Sequence, residues 1–319
     1  ATRLDYYMNL AFGAVERAQE DGLDMMLLGP SGATGGRIAS RVDGLLVIDP
    51  ESGDSAVPGL LDAGVPVVTG ERYLGPAGGP SGAVVCDNAA SLTALLDHVT
   101  ERGARRPAVL APSGSSAWAT ALRATAGSWG RARGVPVTLR TVPFAATPAE
   151  AEAATRELLA ADPAVDAVIC APDGSAPGVL RAAAALGRPV GRSDGASGSD
   201  GGSGRGGSGE GAVHTADESR GSRSGHGGEG AGPGGGGATA DGSSGAPLLV
   251  ASCVDGTATR GAEPPVTAVD LRPAAYGRAC AALLCDILAG RTAPDTVRGH
   301  AWSLEIRAST GPSAAPAGP

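Results

Sequence analysis

The chain of 319 residues contains no lysine, so all 25 of its basic side chains are arginine. Aromatic residues make up only 3% of it, and a core must therefore be built from Ala, Val and Leu, which the 42% hydrophobic content permits. Long apolar runs are lacking as well, and none approaches the ~20 residues that span a bilayer. The opening ATRLDYYMNL has neither a basic start nor an apolar stretch, and does not read as a signal peptide. The five cysteines (Cys86, Cys170, Cys253, Cys280, Cys285) include no C-x-x-C pair. They read as buried free thiols in a reducing cytoplasm. A basic excess is absent: the formal net charge is -8, which makes the chain a poor polyanion binder by itself. Enzyme motifs are missing too. Residues 29–36 are glycine-rich after an apolar run, but carry no Lys for a phosphate-binding loop and do not fit G-x-G-x-x-G. There is no G-x-S-x-G, no H-E-x-x-H and no Cys/His cluster at zinc spacing. Asp43 and Asp49 flank one apolar run without any sign of shared access to a substrate, and His98 and His300 read as surface residues. The chain is therefore read as a non-enzyme without cofactor or metal.

What is present is alternation. Outside residues 191–245, strand-like apolar runs alternate with helix-like segments. A helix is expected over 5–20, then strands at 23–28, 42–48, 65–69 and 83–86, with helices at 55–63 and 89–102 between them. A second series follows: strands at 108–111, 137–142 and 167–170, helices at 117–133, 149–160 and 176–186, and a strand at 248–252. Buried apolar strands separated by helices imply βαβ units and parallel sheets covered on both faces. Two series imply two α/β lobes, with ligands bound beyond the carboxyl ends of the strands. Residues 191–245 are almost all Gly, Ser, Asp, Ala and Arg. Such a segment cannot bury enough apolar surface to offset its ordering entropy, and reads as a disordered insert in which His214 and His226 are solvated. Closure entropy grows only slowly with loop length, so the flanks can belong to one folded unit.

Several segments in this order resemble one family. Val42-Asp43-Gly44-Leu45-Leu46-Val47, Gly64-Val65-Pro66-Val67-Val68 with Glu71-Arg72, and Val84-Val85-Cys86-Asp87-Asn88 are similar to successive strand motifs of the LacI/GalR transcriptional repressors. So are Glu101-Arg102-Gly103, residues 166–187, residues 249–256, Pro265-Val266-Thr267 and the closing Arg307-Ala308-Ser309-Thr310. The resemblance implies the effector-binding core of such a regulator, with a periplasmic-binding-protein-like fold. Its two Rossmann-like lobes would be joined by three crossovers, with a small polar effector, a sugar by family analogy, in the cleft. It also implies a cytoplasmic homodimer that meets operator DNA only through a helix-turn-helix headpiece, which this sequence does not show. The lobes are expected at 1–107 with 267–296, and at 108–190 with 246–266 and 297–310, leaving 311–319 as a tail. The alternative is a sugar-binding protein of an ABC transporter, which shares the two-lobe fold.

Candidate effector contacts follow from strand exits and from the resemblance. Tyr6 and Tyr7 stand at the start of the first helix, where family aromatics face the ligand; they could equally pack on the helix end. Asp87, Asp173 and Asp255 each follow a strand. Each could accept hydrogen bonds from a ligand, or could cap the next helix or shape a turn. Trp118 could stack on an apolar sugar face. Arg123 lies near the family's Arg-x-x-Gly pattern but one residue out of step. One departure has a physical consequence: the first strand of the first lobe is expected to be missing. Unpaired backbone and an open groove would follow. A chain starting at Ala1 is thus expected to be unstable or to aggregate, and a single cooperative thermal transition well above room temperature would contradict this.

Overall fold

The computed structural model describes residues 2–28, 40–76, 78–191 and 246–311. Both the glycine-rich residues 29–36 and nearly all of the expected insert lie outside the described residues. The parallel pairing expected from the apolar runs is present in two sheets. The first has four strands, all parallel, in the order β1-β2-β3-β9: β1 (Leu45–Ile48), β2 (Val67–Gly70), β3 (Gly82–Cys86) and β9 (Thr296–His300). The second has six strands in the order β10-β8-β7-β6-β4-β5. Its members are β4 (Pro107–Pro112), β5 (Thr138–Val142), β6 (Ala167–Cys170), β7 (Leu249–Ser252), β8 (Thr267–Asp270) and β10 (Ser303–Glu305). Only β10 runs antiparallel, against β8. The central strands β4, β6 and β7 are buried along their whole length. Such burial on both faces is why their sequences are continuous rather than alternating.

Helix α1 (Thr2–Glu20) and helix α8 (Pro273–Leu288) cover one face of the first sheet. Leu10, Ala14 and Ala18 recur at helical spacing and are buried. The two helices approach at backbone distance because each has a glycine at the crossing. A Cβ on Gly13 would sit 2.0 Å from the Ala274 carbonyl oxygen, and one on Gly277 would sit 1.9 Å from that of Leu10. Below them Val68, Val84, Tyr276, Cys280 and Leu283 form the core of the lobe. Helix α2 (Ala56–Leu61) lies in this lobe, on the chain between β1 and β2. The second sheet is covered on one face by α3 (Asn88–Glu101) and α4 (Ala117–Arg133), and on the other by α5 (Pro148–Ala161) and α6 (Ala176–Ala185), with the short α7 (Thr257–Arg260) at its rim.

The sequence-based lobe limits need correction at all three crossings. The first passage comes at Asp87, before α3 rather than after it: Leu92, Leu95, Leu96 and Val99 pack with Val109, Ile169 and Ala251 of the second sheet. Residues 267–270, expected in the first lobe, instead continue the second sheet beside β7, and the chain returns only at Leu271–Arg272. Residues 297–300 pair with β3 in the first sheet before β10 rejoins the second. In each case the packing partner, a sheet face for α3 and a neighbouring strand for the other two, decides the lobe rather than the local pattern. The expected strand at 23–28 is also absent. Met26, Leu27 and Leu28 are exposed, and among the described residues β1 pairs on one side only, with β2. An apolar run without a neighbouring strand has nothing to supply its ladder.

The ends of the insert are pinned together. Val190 bridges Leu248, and the Leu248 N–H donates to the Pro189 carbonyl at 2.8 Å. The Arg188 guanidinium donates to the carbonyls of Ala246 and Val165, at 2.8 and 2.6 Å. The flanks therefore belong to one fold. All five cysteines are free, and all but Cys86 are buried. His98, read as a surface residue, is instead buried, with its Nε2 2.7 Å from the Thr310 hydroxyl. Half-buried His300 sits 3.1 Å from the Leu271 carbonyl.

The α1–α8 crossing gives a direct test. Gly277→Val is expected to lower stability by about 1–3 kcal/mol, because the side chain must push apart two backbones. Urea unfolding reads this out, and a loss under about 0.5 kcal/mol would show that the helices can separate freely.

Candidate functional site

The strands of both sheets direct their carboxyl ends toward one hollow, partly open to solvent. From the first lobe come Tyr6 and Tyr7 on α1, Asp49 after β1, Glu71 after β2 and Cys86 at the end of β3. The second lobe brings Trp118 at the start of α4, Phe144 after β5, Asp173 after β6, and Val254 after β7. Asn88 and Leu271 sit at the first two crossings between lobes. Among the described residues, no group of three or more His, Cys, Asp or Glu side chains is placed to hold a metal ion. No described helix is long and apolar enough to cross a membrane.

Four of the seven residues expected from the sequence meet here: Tyr6, Tyr7, Trp118 and Asp173. The tyrosine rings pack edge to face at 5.1 Å, and Trp118 does the same with Phe144 at 5.7 Å. The Tyr7 hydroxyl donates to Asp49 at 2.8 Å.

The other three do not line the hollow. Asp87 is exposed, and its carboxylate accepts the Ala90 N–H at 2.8 Å as the N-cap of α3. It lines a neighbouring, more open groove with Arg72, Thr120 and His300, which meets the hollow at Glu71, Cys86 and Asn88. Capping and exposure at the strand exit thus place this side chain outside. Arg123 turns back onto the Pro112 carbonyl at the end of β4. Asp255 is close by, but its oxygens are taken. Arg307 binds it in a two-pronged fashion at 2.7 and 3.0 Å, Arg260 donates at 2.9 Å and Thr259 at 2.6 Å. Burial opposes its charge, yet these hydrogen bonds prevail and hold its carboxyl below the usual range.

Asp49, Glu71, Asn88 and Phe144 were not among the expected contacts. The signal for the first two was available, since both directly follow apolar strands. Both also adopt left-handed backbone, with φ of 49° and 71°, which non-glycine residues rarely do. Such strain recurs at ligand sites. Glu71, 5% exposed, accepts the Cys86 N–H and the Asn88 side-chain N–H, both at 3.0 Å. Asn88 is equally buried, and its Oδ1 has no partner.

The three carboxyls of the hollow are all pushed up. Burial raises Asp49 to about 6, against the Tyr7 hydrogen bond and helped by Glu51. Burial raises Glu71 to about 7, with Asp49 adding to it. Burial, then the charges of Asp5 and Asp255, raise Asp173 to about 6. Burial and the Asp49 charge also push the hydroxyls of Tyr6 and Tyr7 well up, so both remain neutral donors.

Residues 37–202, just over half of the chain, match the family described as the periplasmic binding protein domain, and the chain belongs to that family. No curated protein matches it. Among solved structures, the transcriptional regulator CelR bound to cellobiose shares the fold at a TM-score of 0.72 and 24% identity, over 96% of this chain and 79% of that one. A LacI family transcriptional regulator from Bifidobacterium animalis subsp. lactis aligns at 0.69 and 19%, over 97% and 96%. A LacI family regulator from Arthrobacter sp. FB24, complexed with lactose, aligns at 0.65 and 17%, over 96% and 95%. The fold is thus the one the family resemblance implied: two α/β lobes, three crossings and a cleft at the strand ends.

The raised carboxyls set the sign of a pH effect. Each holds its proton more tightly in the folded state, so the stability it contributes is full below about pH 4 and is lost as pH rises through about 6 to 7. Asp49→Asn removes its share of that loss. The variant is expected to gain more stability over the natural chain at about pH 8 than at about pH 5, by no more than ~3 kcal/mol. Thermal melts at the two pH values measure it, and an equal effect at both would contradict the assignment.

Proposed function

We propose that this chain is the ligand-sensing and dimerisation core of a LacI-type transcriptional repressor, acting in the cytoplasm. It would bind a small polar effector in the cleft and pass the signal to a DNA-binding headpiece on the full-length protein. The observation that carries this reading is the convergence of Tyr7, Asp49 and Glu71 from one lobe on Trp118, Phe144 and Asp173 from the other, around one hollow. A ligand touching both sets has different contacts in open and closed lobe arrangements. It therefore shifts the population toward one of them. In a dimer, that shift changes the spacing of two headpieces, which must fit half-sites about one helical turn apart. Hydroxyl-rich ligands suit a site of carboxylates and ring faces, and two of the similar structures hold cellobiose and lactose.

The test uses the full-length gene product. It is expected to bind a specific operator with an affinity that changes when effector is added. Asp173→Asn should weaken effector binding at least tenfold, about 1.4 kcal/mol, while leaving operator binding in the absence of effector unchanged. Tight ligand binding without any sequence-specific DNA affinity would instead support a solute-binding protein for a transporter, a role within reach of the same domain family.

A further inference from the structure

We propose that the molecule taken up by this hollow is a small organic cation: a hydroxylated molecule carrying a protonated amine. The amine would be held among Asp49, Glu71, Asp173 and the Asn88 Oδ1, with the four aromatic rings around it. This rests on the reading of the hollow as the effector site.

The first argument is charge. Three carboxyls line the hollow, and among the described residues no arginine or histidine does. Arg307 and Arg260 are bound to Asp255, and Arg123 to the Pro112 carbonyl. Arg72 and His300 line the neighbouring groove, which shares Glu71, Cys86 and Asn88 with the hollow, but not the hollow itself. A cationic ligand would bring the counter-charge that the described walls of the hollow lack. The carboxyls are dispersed around the walls rather than gathered to a point, which suits an organic cation better than a metal ion.

Hydrogen bonding points the same way, independently of charge. The Tyr7 hydroxyl is already donated to Asp49, and one Asn88 amide N–H to Glu71. Among the described lining residues, the buried polar side-chain atom left without a partner is an acceptor, the Asn88 Oδ1. A buried acceptor without a donor is costly. A sugar hydroxyl brings one donor and its own lone pairs, whereas an ammonium brings three donors and no acceptor. The rings favour the same ligand, because a cation over an aromatic face is attracted by it.

Binding should couple to protons. Asp49 is faced by Tyr6 and Tyr7 of α1, by Glu51 and by Glu71. Glu71 is faced by Cys86 of β3, by Asn88, and by Tyr276 and Cys280 of α8. Asp173 is faced by Asp5 and Tyr7 of α1 and by Asp255. None of these neighbours is a cation, so an arriving ammonium displaces protons from the three carboxyls.

The experiment is calorimetry on the protein with matched triplets: a free amine, its N-acetyl amide and the parent alcohol, on hexose, aminocyclitol and open-chain polyol scaffolds. At about pH 7 the amine is expected to bind at least ~10-fold tighter than its amide and alcohol. Affinity should fall toward about pH 5, with protons released on binding in buffers of different ionisation heat. Asp49→Asn and Asp173→Asn, folded by circular dichroism, should each erase the preference for the amine. Equal or tighter binding of the amide or alcohol, lost in Asp173→Asn, overturns the cation assignment and leaves the cleft as the effector site. Binding that is unaffected by Asp173→Asn overturns both. No response from any triplet at millimolar concentration also overturns the cation assignment, since a bare amine would engage this much unpaired carboxylate even on a poor scaffold.

Discussion

Three acidic side chains share one hollow with no basic side chain among its described walls, and much of the surrounding structure can be understood from that constraint. Their burial drives their carboxyls up to about 6 or 7, the values at which a carboxyl begins to lose its proton near neutral pH. The backbone at Asp49 and Glu71 takes a left-handed conformation that most residues avoid, and so aims both side chains off the strand ends into the same space. Tyr7 and Asn88 then spend their donors on these two groups. The site is in this sense already organised before any ligand arrives, which reduces the ordering that binding must bring about.

Asp255 shows the contrast within the same rim. It too is buried at a strand exit, but Arg307 and Arg260 close on it and keep it charged. Arg307 belongs to the closing Arg-x-Ser-Thr stretch, and Ser309 and Thr310 continue its work. The Ser309 hydroxyl donates to Val250, and Thr310 meets both Thr267 and His98. One short terminal segment therefore ties β7, β8 and α3 together. Acid satisfied by arginine here is structural, whereas acid left without arginine lies in the hollow.

Most of the strands and helices were legible in the sequence because parallel strands buried on both faces are written as unbroken apolar runs, as in Val109 to Ala111 or Ala167 to Cys170. The lobe to which each belongs was not legible, since that depends on which strand lies alongside. Residues 267–270 read as well for one sheet as for the other until β7 is seen next to them. Residues 23–28 have the composition of a strand but no neighbour to pair with. For the site, strand exits pointed to Asp173 and could have pointed to Asp49 and Glu71. Asp87 reads alike as an N-cap and as a ligand contact, since both use the same residue types at the same place, and in the structure it caps α3 beside the hollow. Asn88 and Phe144 also lie just past strand ends, but only the approach of the two lobes brings them to the same hollow.

The clamp around Arg188 has a use of a different kind. Residues 190 and 248 meet in a β-bridge, and the Arg188 guanidinium on one side of the junction binds the Ala246 carbonyl on the other and the Val165 carbonyl just before β6. The described framework thus holds the two sides of this junction next to each other. A domain whose own termini lie close together can be joined there with little demand on the strands, which makes this junction a natural docking port for a foreign domain, such as a fluorescent reporter.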